Sequence, residues 1–134
     1  MAPIRVTELD HIVLNVADVE RALAFYTEVL GLKGERVREF REGKVGFPSV
    51  RINERTLIDL NASTRGDSLG RTEGNLAHFC LVVEKEDFSG IVDHLKAHNI
   101  AVHQGPVSRW GARGQATSVY FFDPDGNEIE MRCY

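Results

Sequence analysis

The sequence is poor in cysteine, in long apolar runs and in excess charge of either sign, and each shortage excludes a class of protein. Two cysteines occur in 134 residues, and they lack the CxxC spacing of metal ribbons and redox motifs. Small secreted domains that depend on disulfides carry many more. We therefore interpret Cys80 and Cys133 as reduced thiols that pack inside a protein of a reducing compartment.

Membrane segments and nucleic-acid surfaces are also missing from the pattern. No run of about 18 uninterrupted apolar residues occurs, and residues 1–11, MAPIRVTELDH, lack the apolar stretch of a signal peptide. We expect a cytoplasmic protein that does not associate with membranes. The net charge of -4 provides no basic stripe for a phosphate backbone, which disfavours nucleic-acid binding.

A repeat of roughly 65 residues organises the chain. The first copy opens with a dense β-branched run, LDHIVLNV at residues 9–16, and continues into an amphipathic helix that Asp18 caps and Gly31 ends. The second copy opens with LAHFCLVV at residues 76–83, and Asn99 takes the place of Gly31 after its helix. Each copy is therefore a strand followed by a helix.

Three further strands complete each copy, so the predicted plan is βαβββ twice, in an α+β fold. The strands are expected at residues 34–41, 44–52, 55–61, 101–107, 117–122 and 127–132. We place module one at about residues 6–62, a polar linker at 63–74 and module two at 75–134. Repeated helices between non-adjacent strands imply an open mixed sheet that curls around a cleft.

The closing stretch SVYFFDPDGNEIEMRC, residues 118–133, predicts a hairpin that carries a buried acid. Proline and glycine in DPDG are typical of a tight turn. After the turn, Glu128 and Glu130 share one face of a strand and Ile129 and Met131 share the other. Because a buried, unpaired glutamate is unfavourable, one of these acids needs a partner.

Two histidines at matched positions indicate a metal site. His11 and His78 occupy the third position of the two opening runs, and a twofold relation between the modules would bring them together. With Glu130 they could hold a divalent ion that keeps open positions for water and substrate. Asp59 lies in the last strand of module one, as Glu130 does in module two, and its alternative interpretation is an aspartate satisfied by a backbone amide.

Four other residues are candidates for substrate binding. Residues 105–115, GPVSRWGARGQ, predict a glycine-hinged loop whose Arg109 and Arg113 could bind an anionic substrate, or else an ordinary surface loop. Ser118 and Tyr120 share a strand face, and the tyrosine hydroxyl could reach a metal-bound substrate or simply serve the core. The remaining histidines, on the second helix and just after it, are expected to be solvated: His94, His98 and His103.

Together these segments resemble the vicinal oxygen chelate superfamily, which includes glyoxalases, bleomycin-resistance proteins and extradiol dioxygenases. The resemblance rests on LDHIVLNVADVERALAFYTEVLGLK, LAHFCLVV and GPVSRWGARGQATSVYFFDPDGNEIEM, and it covers almost the whole chain. It implies paired βαβββ modules in a glyoxalase/dihydroxybiphenyl dioxygenase-like fold, with a U-shaped cleft around a divalent metal. It also implies a homodimer.

The resemblance assigns roles to particular residues. His11, His78 and Glu130 match the three most recurrent metal ligands, and Asp59 matches a fourth ligand of glyoxalase I that is normally a glutamate. The ion could be nickel, zinc, manganese or iron. Ser118 and Tyr120 match antibiotic-contacting residues of fosfomycin resistance proteins, which continue past the last strand to a phosphonate-binding arginine. The closing segment also resembles glyoxalase-domain proteins of undefined substrate, some labelled virulence-associated.

These features predict a glyoxalase-type lyase or isomerase in which the ion, as a Lewis acid, binds adjacent oxygens of a small substrate. Glu130, or Asp59 in its place, is expected to move a proton between neighbouring carbons, beside Tyr120. The alternatives are an extradiol ring-cleaving dioxygenase, a fosfomycin-type thiol transferase and a metal-free drug binder. The presence of both histidines and the acid argues against the binder. The sequence leaves open whether a cleft forms within one chain or across a dimer.

Overall fold

The computed structural model describes residues 5, 7–63 and 76–134, so the predicted linker at 63–74 lies almost wholly outside the described residues. The chain divides into two compact units, Met1–Ser68 and Leu69–Tyr134. Each unit contains a four-stranded mixed sheet with short helices, which confirms the predicted α+β plan of βαβββ twice. Among the described helices, none has the length and apolar character that crossing a bilayer requires.

The first unit has its strands in the order β1-β4-β3-β2, and β1 runs parallel to β4. The other neighbouring strands are antiparallel. Helix α1 continues into a π-helical turn at Phe25–Val29. The elements are β1 (His11–Val16), α1 (Val19–Ala24), β2 (Lys33–Glu35), α2 (Val37–Arg41), β3 (Ser49–Arg51) and β4 (Leu57–Ala62).

Helix α1 forms where the sequence predicts it. The Asp18 side chain accepts a hydrogen bond from the backbone N–H of Arg21 at 3.1 Å, which satisfies one of the free donors of the first turn. Its buried residues, Val19, Ala22 and Leu23, lie at helical spacing. The segment ends at Gly31, whose φ of 72° is the left-handed conformation expected there.

Residues 37–41 form α2, so the strand predicted at 34–41 is wrong beyond Glu35. Arg36 adopts a left-handed φ of 57°, which ends β2 and turns the backbone away from the sheet. The apolar residues of VREFR, Val37 and Phe40, are three apart, which is helical spacing, and arginine and glutamate also favour helices.

The second unit repeats the plan with the order β5-β8-β7-β6, and β5 runs parallel to β8. Asn99 has a φ of 63°, the counterpart of Gly31 in the first unit. Residues 105–115 belong to a β-hairpin with a short turn between β6 and β7, so the predicted glycine-hinged loop is wrong. The elements are β5 (Phe79–Val82), α3 (Lys85–Phe88), α4 (Ile91–Ala97), β6 (Gln104–Gly111), β7 (Gly114–Phe122) and β8 (Glu128–Cys133).

The turn between β7 and β8 confirms the prediction from DPDG. The Asp123 carboxylate accepts hydrogen bonds from the backbone N–H groups of Asp125 at 2.9 Å and Asn127 at 2.8 Å. Gly126 supplies the positive φ, 80°, that other residues resist. This turn fixes the register in which Tyr120 lies opposite Glu130.

Candidate metal centre

His78 and Glu130 lie side by side in the second unit, as the repeat predicts. Cys80 of β5 pairs with Glu130 of β8, and His78, two residues before Cys80, shares its face. Nε2 of His78 is 3.1 Å from Oε1 of Glu130. The Glu130 side chain is 5% exposed and that of His78 is 40% exposed, so a buried carboxylate meets an imidazole that solvent can reach.

The second oxygen of Glu130 is held by its neighbours. Oε2 accepts a hydrogen bond from Oγ of Ser118 at 2.6 Å, and Nη1 of Arg132 lies 3.4 Å away. Such contacts orient a carboxylate and leave its other oxygen aimed in one direction. Sequence reasoning missed Arg132, although residues two apart on a strand share a face and Arg132 follows Glu130 by two.

The spacing of the His78–Glu130 pair fits two ligands of one cation. Ligand atoms about 2.1 Å from an ion, in adjacent positions of an octahedral site, are roughly 3.0 Å apart. The observed separation is 3.1 Å, and imidazole with carboxylate suits zinc, manganese, iron or nickel. Within the part of the chain that the structure describes, no three histidine, cysteine or acidic side chains converge to hold an ion, and we refer to this pair of candidate ligands as the half-site.

His11 and Asp59 form the corresponding pair in the first unit. Val13 pairs with Asp59 in the β1–β4 register, which places His11 on the same face. Nε2 of His11 is 3.9 Å from Oδ2 of Asp59. Nδ1 of His11 donates to the Asp10 carboxylate at 2.7 Å, and this hydrogen bond raises the pKa of the imidazole. Asp10 thus fixes the ring and directs Nε2 away from itself, a role that sequence reasoning did not assign.

Asp59 already has partners of its own. Oγ of Ser49 donates to Oδ1 at 2.5 Å, and Nη2 of Arg36 lies 3.6 Å from the same oxygen. The 3.9 Å gap to His11 is wider than adjacent ligands of one ion require. Asp59 is therefore engaged by the side chains of Ser49 and Arg36, on a central strand, and not by the backbone amide of the alternative interpretation.

Tyr120 borders the His78–Glu130 pair. Its ring meets that of His78 edge to face with centroids 5.7 Å apart. Burial, followed by the negative charge of Glu130, raises the pKa of the Tyr120 phenol, while the charge of Arg109 opposes the rise. The hydroxyl therefore remains protonated near neutral pH and can donate a hydrogen bond. The opposing charge also places the Arg109 guanidinium near this site.

The two arginines of the β6–β7 hairpin differ in their surroundings. Arg109 donates to the carbonyl of Ser108 at 2.9 Å and approaches Tyr120. The Arg113 guanidinium instead stacks on the ring of Tyr134, 4.2 Å from its centroid. The structure therefore brings Arg109 toward the half-site, whereas Arg113 is engaged at the tip of the hairpin.

The other histidines fall into two groups. His94 on α4 and His98, the residue after it, are exposed, as predicted. His103 is also exposed, as predicted, but its Nε2 lies 2.9 Å from Oε2 of Glu128 and its ring stacks on Phe122. The alternation that links Glu128 to Glu130 could have indicated a second polar pair on this face.

The sequence is similar to those of known proteins over most of its length. The family model described as Glyoxalase/Bleomycin resistance protein/Dioxygenase superfamily matches residues 8–131. A glyoxalase domain-containing protein of Mycosarcoma maydis is 33% identical, over 96% of this chain and 69% of that protein. A lactoylglutathione lyase of Neisseria meningitidis is 29% identical, over 90% of this chain and 86% of that protein.

A virulence protein of Salmonella typhimurium is similar in both sequence and structure. Its sequence is 29% identical, over 96% of this chain and 85% of that protein. Its crystal structure aligns with a TM-score of 0.74 at 26% identity, covering 98% of this chain and 99% of that one. The fold expected from the sequence is therefore found in a solved relative.

Proposed function

Because the chain belongs to the glyoxalase, bleomycin resistance protein and dioxygenase superfamily, we propose that it is a divalent-metal-dependent enzyme acting on a small substrate with two adjacent oxygens. The observation that carries this proposal is the His78–Glu130 pair. Its donor atoms are 3.1 Å apart, and the Ser118 hydroxyl donates a hydrogen bond to the other carboxylate oxygen of Glu130 at 2.6 Å. Such support is typical of an acid that holds an ion.

The proposed ligands are His11, His78 and Glu130. Nε2 of His11 is directed by Asp10, and Oε1 of Glu130 is directed by the hydrogen bond to its other oxygen. Asp59 is the weakest of the predicted ligands, since Ser49 already engages it. We also propose that the protein forms a homodimer.

When bound, the ion would act as a Lewis acid that polarises an oxygen of the substrate. Glu130 holds its position because Ser118 and Arg132 engage its Oε2. Tyr120 donates a hydrogen bond to a substrate oxygen, since its phenol stays protonated. The positive charge of Arg109 attracts a substrate that carries a negative group.

Within this class we propose a glyoxalase-type lyase or isomerase. The similarity to the Neisseria meningitidis lactoylglutathione lyase, over 86% of that protein, supports this choice. A ring-cleaving dioxygenase is the second candidate, because two imidazoles and one carboxylate also suit ferrous iron. A thiol transferase of the fosfomycin type and a metal-free drug binder complete the alternatives.

Metal titration tests the proposal first. Isothermal titration of protein purified without chelators, with zinc, nickel, manganese and ferrous ions, should show binding at micromolar concentration or tighter. His78→Ala should abolish it, whereas His98→Ala, at an exposed histidine that follows α4, should leave it unchanged. Absence of binding for all four ions would contradict the proposal.

Substrate assays separate the candidates. The loaded protein should convert the hemithioacetal of methylglyoxal and glutathione, followed by ultraviolet absorbance, if it is a glyoxalase. Ring opening of catechol by the iron form alone, seen as a yellow product in air, would favour the dioxygenase. Tight retention of bleomycin by the His78→Ala variant would favour the metal-free binder.

A further inference from the structure

His103 and Glu128 form a second acid–base pair in the second unit, which the proposed metal site does not use. Nε2 of His103 is 2.9 Å from Oε2 of Glu128, and the two side chains are 31% and 14% exposed. The imidazole stacks on Phe122 with centroids 4.3 Å apart and 13° between the planes. The ring therefore lies between the Glu128 carboxylate, close to its Nε2, and the flat face of Phe122.

This pair lies on the same face as the metal half-site. Glu128 and Glu130 are alternate residues of β8, so their side chains share one side of the sheet. Tyr120, opposite Glu130, has its ring centroid 5.7 Å from that of His78 and 6.3 Å from that of His103. Both histidine–glutamate pairs thus border one aromatic side chain.

The other candidates for proton transfer on this face are already engaged. Ser118 donates to one oxygen of Glu130, and His78 lies 3.1 Å from the other. In the described residues, no hydrogen bond engages Nδ1 of His103. A carboxylate that accepts from one ring nitrogen keeps the other as a base, as in serine hydrolases.

We propose that His103, oriented by Glu128, is the general base that removes a proton from a substrate held beside Tyr120. This role rests on the proposed metal-dependent function. Nδ1 takes the proton from a hydroxyl-bearing carbon next to a carbonyl; the C–H electron pair forms a carbon–carbon double bond, and the carbonyl π pair moves to its oxygen. The imidazolium then returns the proton to the former carbonyl carbon, and the hydroxyl proton passes to the other oxygen as the new carbonyl forms. The reaction is therefore an isomerisation without any redox partner.

The tautomer of His103 provides one test that needs no turnover. In protein with ¹⁵N-labelled histidine, the neutral ring of His103 should carry its proton on Nε2 and leave Nδ1 bare. Glu128→Leu should remove this preference, because the acceptor is lost. A proton on Nδ1 in the wild type would overturn the assignment.

Binding of acetohydroxamate to the zinc-loaded protein tests contact with the substrate. This compound presents two adjacent oxygens and an N–H where the substrate presents C–H. His103→Leu should weaken its binding about tenfold, the effect of one lost hydrogen bond, with the zinc dissociation constant unchanged within about twofold. His98→Leu is the matched control, and both affinities should stay as in the wild type.

The outcomes separate this role from the metal proposal. Failure of zinc to bind the wild type would overturn both. Normal zinc binding with equal acetohydroxamate affinity in wild type and His103→Leu would overturn the role of His103 alone. If circular dichroism shows that His103→Leu is unfolded, His103→Gln replaces it, with the same expected loss.

Discussion

The Arg132 guanidinium contacts the carboxylate of Glu130 and also donates hydrogen bonds to the adjacent β6–β7 hairpin. Nη1 lies 3.4 Å from Oε2 of Glu130 and donates to the carbonyl of Trp110 at 3.1 Å. Nη2 donates to the carbonyls of Arg109 at 2.8 Å and Gly114 at 3.3 Å. A guanidinium 3% exposed therefore couples the proposed metal ligand to the β6–β7 hairpin.

Replacing Arg132 should be strongly destabilising. Arg132→Met leaves Glu130 without its buried counter-charge and three carbonyls without donors, so we expect a loss of about 3–5 kcal/mol in the free energy of unfolding. Urea denaturation measures this loss. Arg38→Met, at a side chain 86% exposed, should change stability by less than about 0.5 kcal/mol. Equal effects of the two substitutions would contradict the coupling.

Gly111 lies so close to the Arg132 guanidinium that a larger residue does not fit there. A Cβ at this position would collide with the Arg132 guanidinium and with the Tyr134 hydroxyl, whereas a Cβ at Gly46 meets nothing within 4 Å. Gly111→Ala should therefore cost about 1–3 kcal/mol, the usual cost of overpacking. Thermal unfolding compares Gly111→Ala with Gly46→Ala. Equal melting temperatures for the two variants would show that the hairpin accommodates the added Cβ without cost.

Asp10 should control the basicity of His11. The hydrogen bond from Nδ1 to Asp10 raises the pKa of this imidazole, so Asp10→Asn should bring it down toward 6.5. Proton NMR titration of the ring measures the shift. Because a ligand must be deprotonated, metal binding should weaken as the pH falls through the His11 pKa. In addition, Asp10→Asn should lower metal affinity by about 10–100-fold at pH 8.

A matched control for this prediction lies on the same strand end. Glu8→Gln removes a nearby negative charge that the structure pairs with Arg55 rather than with His11. In the Glu8→Gln variant, the pKa of His11 and the metal affinity should stay close to those of the wild type. An equal fall in both variants would attribute the effect to general charge and not to the Asp10 hydrogen bond.

Cys80 should be an unreactive thiol. The residue is exposed, contrary to the packed thiol expected from the sequence, but partial desolvation of its sulfur, followed by the negative charge of Glu130, raises its pKa to about 11. Since the thiolate is the nucleophile, alkylation by iodoacetamide at pH 8 should be on the order of 100-fold slower than that of an ordinary cysteine. Mass spectrometry follows the modified peptide. Glu130→Gln should accelerate the reaction, and a wild-type rate equal to that of free cysteine would refute the high pKa.

The local patterns of the sequence were sufficient for most of the fold. The Asp18 cap, the left-handed Gly31 and Asn99, and the DPDG turn are formed by neighbours in the chain, so their geometry can be predicted from a few residues. The repeat also gave the pairing of His78 with Glu130. Residues 37–41 were misassigned although Val37 and Phe40 lie at helical spacing, because a five-residue segment covers little more than one helical turn and its environment decides.

The sequence by itself determined the two βαβββ modules, their turns and the histidine and acid that each module carries. Only the tertiary structure decided how those acids are held. Ser118 contacts Glu130 from the neighbouring strand β7, and Arg132 contacts it from the same strand, β8. His103 contacts Glu128 from the residue just before β6. Such contacts depend on strand register and side-chain direction, which residues far apart in the chain acquire only when the sheet forms.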